Sequence, residues 1–64
     1  MENKIKKTRT DKSLTQEELA RVSDVKLSTL QKLERADANL GKMQLVTAVK
    51  LAKGLGIKVE ELLI

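Results

Sequence analysis

The chain has 64 residues, 41% of them apolar, a formal net charge of +4, and no Cys, His, Pro, Trp, Tyr or Phe. This length predicts one small domain covering residues 1–64, with a stability of a few kcal/mol. Without Cys or His there is no disulfide, no thiolate or imidazole metal ligand and no histidine general base. We therefore expect no catalytic residues, metal, cofactor or small-molecule substrate, and an enzyme is the least favoured class.

The charge pattern favours a polyanionic partner, of which nucleic acid is the usual one. Basic residues crowd the start of the chain and recur in its middle. They are Lys4, Lys6, Lys7, Arg9 and Lys12, then Lys26, Lys32 and Arg35. No apolar run approaches the roughly 18 to 20 residues of a membrane span, and the N-terminal sequence lacks the apolar stretch of a signal peptide. A cytoplasmic protein without a membrane partner is expected.

Two short helices are predicted in the first third of the chain. The first covers about residues 3–12 and has one strong apolar anchor, Ile5. The second covers about residues 16–22 and begins at the clearest local signal, because Thr15 and Glu18 have the spacing of a capping box.

A tight turn and a third helix follow. Asp24 tolerates the left-handed backbone region better than most residues and can form the turn. The third helix runs from Leu27 to about Arg35, with Leu30 and Leu33 forming a narrow apolar stripe. The remaining side chains of this helix are polar and partly basic.

The second half of the chain predicts a loop at 36–43, a helix at 45–55 that ends at Gly56, and a last short helix at 59–63. Residues at helical spacing predict the core. They are Leu19, Val25, Leu30, Leu45, Ala48, Val49, Ala52 and Leu55, with Leu62, Leu63 and Ile64 closing it. No segment alternates as a strand does, so the fold class is all-α.

The second and third helices satisfy the physical demands of a helix-turn-helix. A small residue, Ala20, allows the two helices to approach, and Asp24 reverses the chain. The crossing angle is fixed by four apolar residues, Leu19, Val25, Leu30 and Leu33, while the second of the two helices keeps a polar face free for the DNA major groove.

Several segments resemble the Cro/cI-like helix-turn-helix family of small repressors and antitoxins. They are LTQEELA at 14–20, DVKLSTL at 24–30, KLER at 32–35, VKLAKGLGI at 49–57 and VEELL at 59–63. The resemblance spans nearly the whole chain. It implies a five-helix, lambda-repressor-like DNA-binding domain whose helix-turn-helix is formed by helices two and three.

The resemblance also implies a set of DNA-binding residues. They are Thr15, Gln16, Lys26, Leu27, Ser28, Thr29, Lys32, Arg35 and Arg9. Thr15 and Gln16 would contact backbone phosphate at the N-terminus of helix two. Ser28 and Thr29 would lie at base edges, Lys26 and Lys32 beside them, and Arg35 at a phosphate. A structural ion pair between Arg9 and Glu34 would orient Arg9 toward the DNA.

The chain departs from the family pattern at a few positions. Asp24, Ser13 and Ala36 stand where relatives usually have Gly, so the third helix can extend past Arg35. Leu27 replaces a usually polar residue that contacts bases. It either packs against a thymine methyl group or belongs to a surface that has turned from DNA to protein.

The function expected from this resemblance is sequence-specific binding of double-stranded DNA by a transcriptional repressor of bacterial or phage origin. A homodimer, formed through helix five and the loop before it, would bind a pseudo-palindromic operator. The first alternative is a protein-partner module or antitoxin in which DNA binding is secondary or lost. The second is a designed or excised scaffold, because natural domains rarely lack aromatic residues.

Overall fold

The structure, a computed structural model, describes residues 3–35 and 37–63, with Leu63 described by its backbone alone. Helices account for the regular structure of this part of the chain, and it contains no strand. They are α1 (Lys4–Asp11), α2 (Gln16–Ser23), α3 (Leu27–Leu33), α4 (Leu45–Leu55) and α5 (Val59–Leu63), with a short 3-10 helix at Leu40–Lys42. The all-α class and the five-helix architecture expected from the sequence are confirmed.

Side-chain caps determine where the first two helices begin. The side-chain oxygen of Asn3 accepts hydrogen bonds from the backbone N–H groups of Ile5 and Lys6 at the start of α1. At α2 the predicted capping box is complete, with bonds in both directions between Thr15 and Glu18. Such a cap stabilises a helix by about 1 kcal/mol because it satisfies N–H groups that otherwise lack a partner.

Residues in the left-handed backbone conformation end two of the helices. Asp24 has φ 56° at the end of α2, as expected for the turn of the helix-turn-helix, and Gly56 has φ 69° at the end of α4. Ser13 also has a positive φ, 59°. A side chain in this region costs about 1–2 kcal/mol, so Asp24 and Ser13 carry a strain that glycine would avoid.

One hydrophobic core joins all five helices. The fully buried large side chains come from each helix in turn. They are Ile5, Leu19, Leu30, Leu51, Leu55 and Leu62. Val25 and Leu33 pack against this cluster and are partly buried. The core therefore fixes α3 relative to the other helices through Leu30, which has no exposed surface.

The first turn of α4 does not contribute to the core as predicted. Leu45 is 69% exposed, Val46 60% and Val49 36%. The buried stripe of α4 begins one turn later, at Ala48, and continues with helical spacing through Leu51, Ala52 and Leu55. Helical periodicity alone predicts that this stripe also includes Leu45 and Val49. The prediction was wrong because no described neighbour covers the N-terminal end of the helix.

Helix α3 is shorter than predicted. It ends at Leu33, with Glu34 as its C-cap, and does not continue past Arg35. Helix α2 extends one residue beyond its predicted end, to Ser23. The predictions that concern Ala36, Ile64 and the Leu63 side chain lie outside what the structure describes.

Helices α2 and α4 pack closely at Gly54. A Cβ atom placed on Gly54 would lie 2.9 Å from Cβ of Ser23 and 3.2 Å from Cδ1 of Leu19. Ser23 is buried, and its hydroxyl donates a hydrogen bond to the carbonyl of Leu19 one turn earlier. The contact requires a glycine in α4, and it holds the first helix of the helix-turn-helix against the core.

Candidate nucleic-acid interface

Helix α3 turns one side toward the core and the other toward solvent. Ser28, Gln31 and Lys32 are exposed, and their i, i+3, i+4 spacing places them on one face. Leu30 on the opposite side is fully buried. We call the side chains of Ser28, Gln31 and Lys32 the polar face of α3. This face offers one hydroxyl, one amide and one ammonium group, which together donate and accept hydrogen bonds.

Two of the α3 residues expected at DNA are less exposed than this face. Thr29 is half-buried. Leu27 is also half-buried and packs against the core. It precedes Leu30 by three residues, so both lie on one side of the helix. Both alternatives given above for Leu27 need an exposed side chain, and the structure leaves only part of it exposed.

Two expected basic residues flank α3. Lys26 is exposed at its N-cap position, where its side chain makes no capping bond. Arg35 is exposed beyond its C-terminus, with Nε 3.5 Å from Oδ1 of Asp37. The side chains of this pair are 66% and 76% exposed, so water screens the attraction and Arg35 can exchange Asp37 for another anion at little cost.

The N-terminus of α2 carries the residues that were expected to contact phosphate. The hydroxyl of Thr15 accepts a hydrogen bond from the backbone N–H of Glu18 at 3.1 Å, and its own proton stays available to donate. The Glu18 carboxylate accepts from the backbone N–H of Thr15 at 2.9 Å. This backbone bond, helped by the Thr15 hydroxyl and the charge of Arg21, lowers the pKa of Glu18 from its ordinary value.

A buried polar cluster connects α1, α2 and the end of α3. Arg9 donates from Nε to Oε2 of Glu34 at 2.8 Å and from NH2 to Oε1 at 2.9 Å, so the ion pair expected from the family resemblance is present. Its third nitrogen, NH1, donates to the carbonyl of Leu14 at 2.7 Å. Gln16 completes the cluster, since its Nε2 donates to Oε1 of Glu34 at 3.2 Å.

The cluster gives Arg9 a position different from the expected one. Its side chain is 11% exposed and that of Glu34 is 3% exposed. Each guanidinium nitrogen of Arg9 already donates inside the domain. The structure thus turns Arg9 inward instead of toward a DNA surface. Arg9 is thus connected to the end of α3 through Glu34, which the half-buried Gln16 also contacts.

Two residues of this region were not among the predicted site residues. Gln31 is exposed between Ser28 and Lys32, and its i+3 spacing from Ser28 was a signal in the sequence. Asn3 caps α1, and its Nδ2 also donates to the carbonyls of Leu33 at 2.7 Å and Arg35 at 3.4 Å. An Asn before a helix predicts a cap. The bond across 30 residues has no local signal.

Within residues 3–35 and 37–63, no cluster of three acidic side chains is arranged to hold a metal ion. In the same part of the chain, no helix combines the length and apolar character that crossing a membrane requires.

A family model described as helix-turn-helix matches residues 5–62. The chain belongs to this helix-turn-helix family. The match runs from α1 to α5 and so confirms the Cro/cI-like resemblance. This helix-turn-helix protein is a DNA-binding regulator in general terms, of a family that is typically non-enzymatic. Comparison with curated proteins and with solved structures gave no match.

Proposed function

We propose that this helix-turn-helix protein is a sequence-specific transcriptional repressor that inserts α3 into the major groove of double-stranded DNA. The polar face of α3 carries the proposal, because Ser28, Gln31 and Lys32 are exposed while Leu30 anchors the same helix in the core. A major groove about 12 Å wide admits one α-helix, whose side chains meet base edges directly. The family resemblance supports the repressor role, a cytoplasmic location and a bacterial or phage origin in this proposal.

The side chains of this interface have separate roles in the proposal. Ser28 and the half-buried Thr29 contact base edges, and Lys32 contacts a guanine or a phosphate. Lys26 and Arg35 contact phosphates at the two ends of α3. The exposed part of Leu27 packs against a thymine methyl group.

Phosphate contacts at the N-terminus of α2 complete the interface. Gln16 is its first residue, so the backbone N–H group of Gln16 is free of an intrahelical partner. The hydroxyl of Thr15 retains a proton to donate. A phosphate placed here gains from both donors and from the positive end of the helix dipole.

We propose further that two copies bind one pseudo-palindromic operator, with their α3 helices about 34 Å apart. The described apolar residues of α5 mostly serve the core, since Leu62 is buried and Val59 packs against the same cluster. Sedimentation at high micromolar concentration, with and without an operator duplex, tests the pairing. Two protomers per duplex are expected, and a monomer under both conditions would remove this part of the proposal.

The test of DNA recognition begins with selection of bound sequences from a random duplex pool. Binding of the selected duplex is then measured by fluorescence anisotropy for Lys32→Ala, Ser28→Ala and Thr29→Ala. Lys53→Ala is the matched control, because it removes the same charge from an exposed position of α4. We expect Lys32→Ala to weaken binding about tenfold or more, and the Ser28 and Thr29 variants to change base preference.

Salt dependence separates the electrostatic contribution from base recognition. Each neutralised phosphate releases counterions, so the affinity of wild type should fall steeply as salt rises. Lys32→Ala should reduce the slope of log affinity against log salt concentration by about 1 if Lys32 contacts a phosphate. The slope should stay nearly unchanged if Lys32 contacts a guanine. Unchanged operator affinity and preference in all three α3 variants would contradict the assignment of the interface.

A protein-partner module is the second candidate. The exposed apolar side chains Leu45, Val46 and Val49 on α4 favour it, because an apolar surface outside the core suits contact with another protein. Absence of DNA binding at low salt supports this candidate over the repressor.

A further inference from the structure

The side chain of Asn3 bonds to two different helices at once. Its oxygen accepts from the N–H groups of Ile5 at 2.9 Å and Lys6 at 3.1 Å, at the start of α1. Its nitrogen donates to the carbonyls of Leu33 at 2.7 Å and Arg35 at 3.4 Å, at the end of α3. One amide therefore satisfies donors at the start of α1 and the Leu33 carbonyl at the end of α3, groups that helix ends leave without intrahelical partners. The Arg35 carbonyl, beyond α3, also accepts from the Ala38 N–H at 3.0 Å.

The end of α3 depends on such external partners. The helix has seven residues, fewer than an isolated helix needs to be stable in water, and only Leu30 is fully buried within it. Leu27 and Leu33 also pack against the core but are only partly buried, so side-chain packing holds the orientation of α3 less tightly than several buried anchors would. The contacts at its C-terminal end therefore add to core packing in setting the direction in which its polar face points.

Two contacts at this end come from the N-cap of α1 and from a residue within α1, about 1.7 helical turns apart. Arg9 bonds to the Glu34 side chain, just after the last residue of α3. Asn3 bonds to the Leu33 and Arg35 carbonyls on either side of Glu34. Together with the buried Leu30, two separated contacts restrict the orientation of α3 more than one contact would.

We propose that Asn3 is a positioning residue for DNA recognition: its amide nitrogen fixes the orientation of α3 relative to α1, and hence the approach of the polar face to the bases. The inference rests on the proposed function of α3. Asn3 is placed to act through α3, and the inference requires no contact between Asn3 and DNA. Its capping oxygen is a separate feature that stabilises α1.

The two roles of Asn3 can be separated by substitution. Serine retains a capping oxygen but has no amide that reaches the α3 carbonyls, so Asn3→Ser keeps the cap and removes the connection. Asn3→Asp keeps the shape and the cap, and places a carboxylate oxygen against the Leu33 carbonyl. Asn39→Ser is the matched control, because Asn39 caps the 3-10 helix through a 3.0 Å bond to the Gly41 N–H.

The first measurement is the ratio of affinities for the selected duplex and a random duplex, at one salt concentration. A loss of folded protein lowers both affinities equally and leaves the ratio unchanged. A misdirected α3 loses base contacts and keeps most phosphate contacts, so Asn3→Ser should lower the ratio about tenfold. Asn3→Asp should lower it as well, while Asn39→Ser stays near wild type. A wild-type ratio in Asn3→Ser would overturn the inference.

The second measurement needs no DNA and separates this inference from the proposed function. Residual dipolar couplings of backbone N–H groups report the angle between α1 and α3 in the free protein. We expect the angle between α1 and α3 to change in Asn3→Ser and Asn3→Asp and to stay as in wild type in Asn39→Ser. If wild type does not discriminate between duplexes, the proposed function fails. If the angle is the same in wild type and the Asn3 variants, the positioning role fails.

Discussion

Arg9 and Glu34 form a two-point ion pair inside the domain, with Nε to Oε2 at 2.8 Å and NH2 to Oε1 at 2.9 Å. The pair joins α1 to the residue that caps α3, and Gln16 joins it from α2. The elements proposed to contact DNA therefore share one carboxylate. A change at Glu34 is expected to reach both the phosphate contacts of α2 and the base contacts of α3.

Removing one partner of this ion pair should be costly. Arg9→Met leaves the Glu34 carboxylate buried without its main donor, and we expect a loss of about 3–5 kcal/mol in the free energy of unfolding. Urea denaturation followed by circular dichroism measures this loss. The double variant Arg9→Met/Glu34→Leu should lose less free energy of unfolding than the two single variants lose in sum, because it leaves no unpaired charge. Additive losses would contradict the coupling.

Two leucines in α4 provide a comparison within one helix. Leu51 has no exposed surface, whereas Leu45 is 69% exposed. Leu51→Ala should lower the free energy of unfolding by about 2–5 kcal/mol, and Leu45→Ala should stay within about 0.5 kcal/mol of wild type. Thermal or urea unfolding of both variants tests this. A large loss in Leu45→Ala would show that its side chain is covered in solution.

Close packing at Gly54 makes a change to alanine destabilising. Alanine favours a helix interior by about 1 kcal/mol over glycine, but its Cβ would approach Cβ of Ser23 to 2.9 Å. We expect overpacking to dominate, with a net loss of about 1–3 kcal/mol. Adding Ser23→Gly removes the facing Cβ and should recover part of the loss. If the Gly54→Ala variant were more stable than wild type, helices α2 and α4 would separate easily, and the overpacking argument would be contradicted.

The capping box gives α2 a defined dependence on pH. The backbone N–H of Thr15 holds the pKa of Glu18 below its ordinary value, so the folded state favours the charged carboxylate. Its contribution to stability is complete above the ordinary pKa and is lost as pH falls through the folded value. Glu18→Gln keeps the box geometry without this titration. The stability difference between wild type and Glu18→Gln should therefore shrink on acidification to about pH 3. A difference that is independent of pH would contradict this origin.

Local signals in the sequence were sufficient for much of the fold. The Thr15–Glu18 capping box, the turn at Asp24 and the cap at Gly56 each act within a few residues, and each is present as predicted. The wrong predictions concern residues whose burial depends on contacts with distant parts of the chain. Leu45 has the periodicity of a core residue, but its side chain is exposed.

The candidate site shows the same division. The polar face of α3 follows from helical spacing alone, and Gln31 was available from it. The end of α3 and the inward position of Arg9 depend on partners about 25 to 30 residues away in the chain. Spacing within a helix does not encode these contacts, so they required the folded structure.

The central claim is that the polar face of α3 lies in the major groove. Intermolecular nuclear Overhauser effects between the labelled protein and a selected duplex test it most directly. The account predicts contacts from Ser28, Gln31 and Lys32 side chains to thymine methyl and cytosine H5 protons, which line that groove. Contacts from these side chains to adenine H2 protons of the minor groove, or contacts confined to other helices, would contradict it.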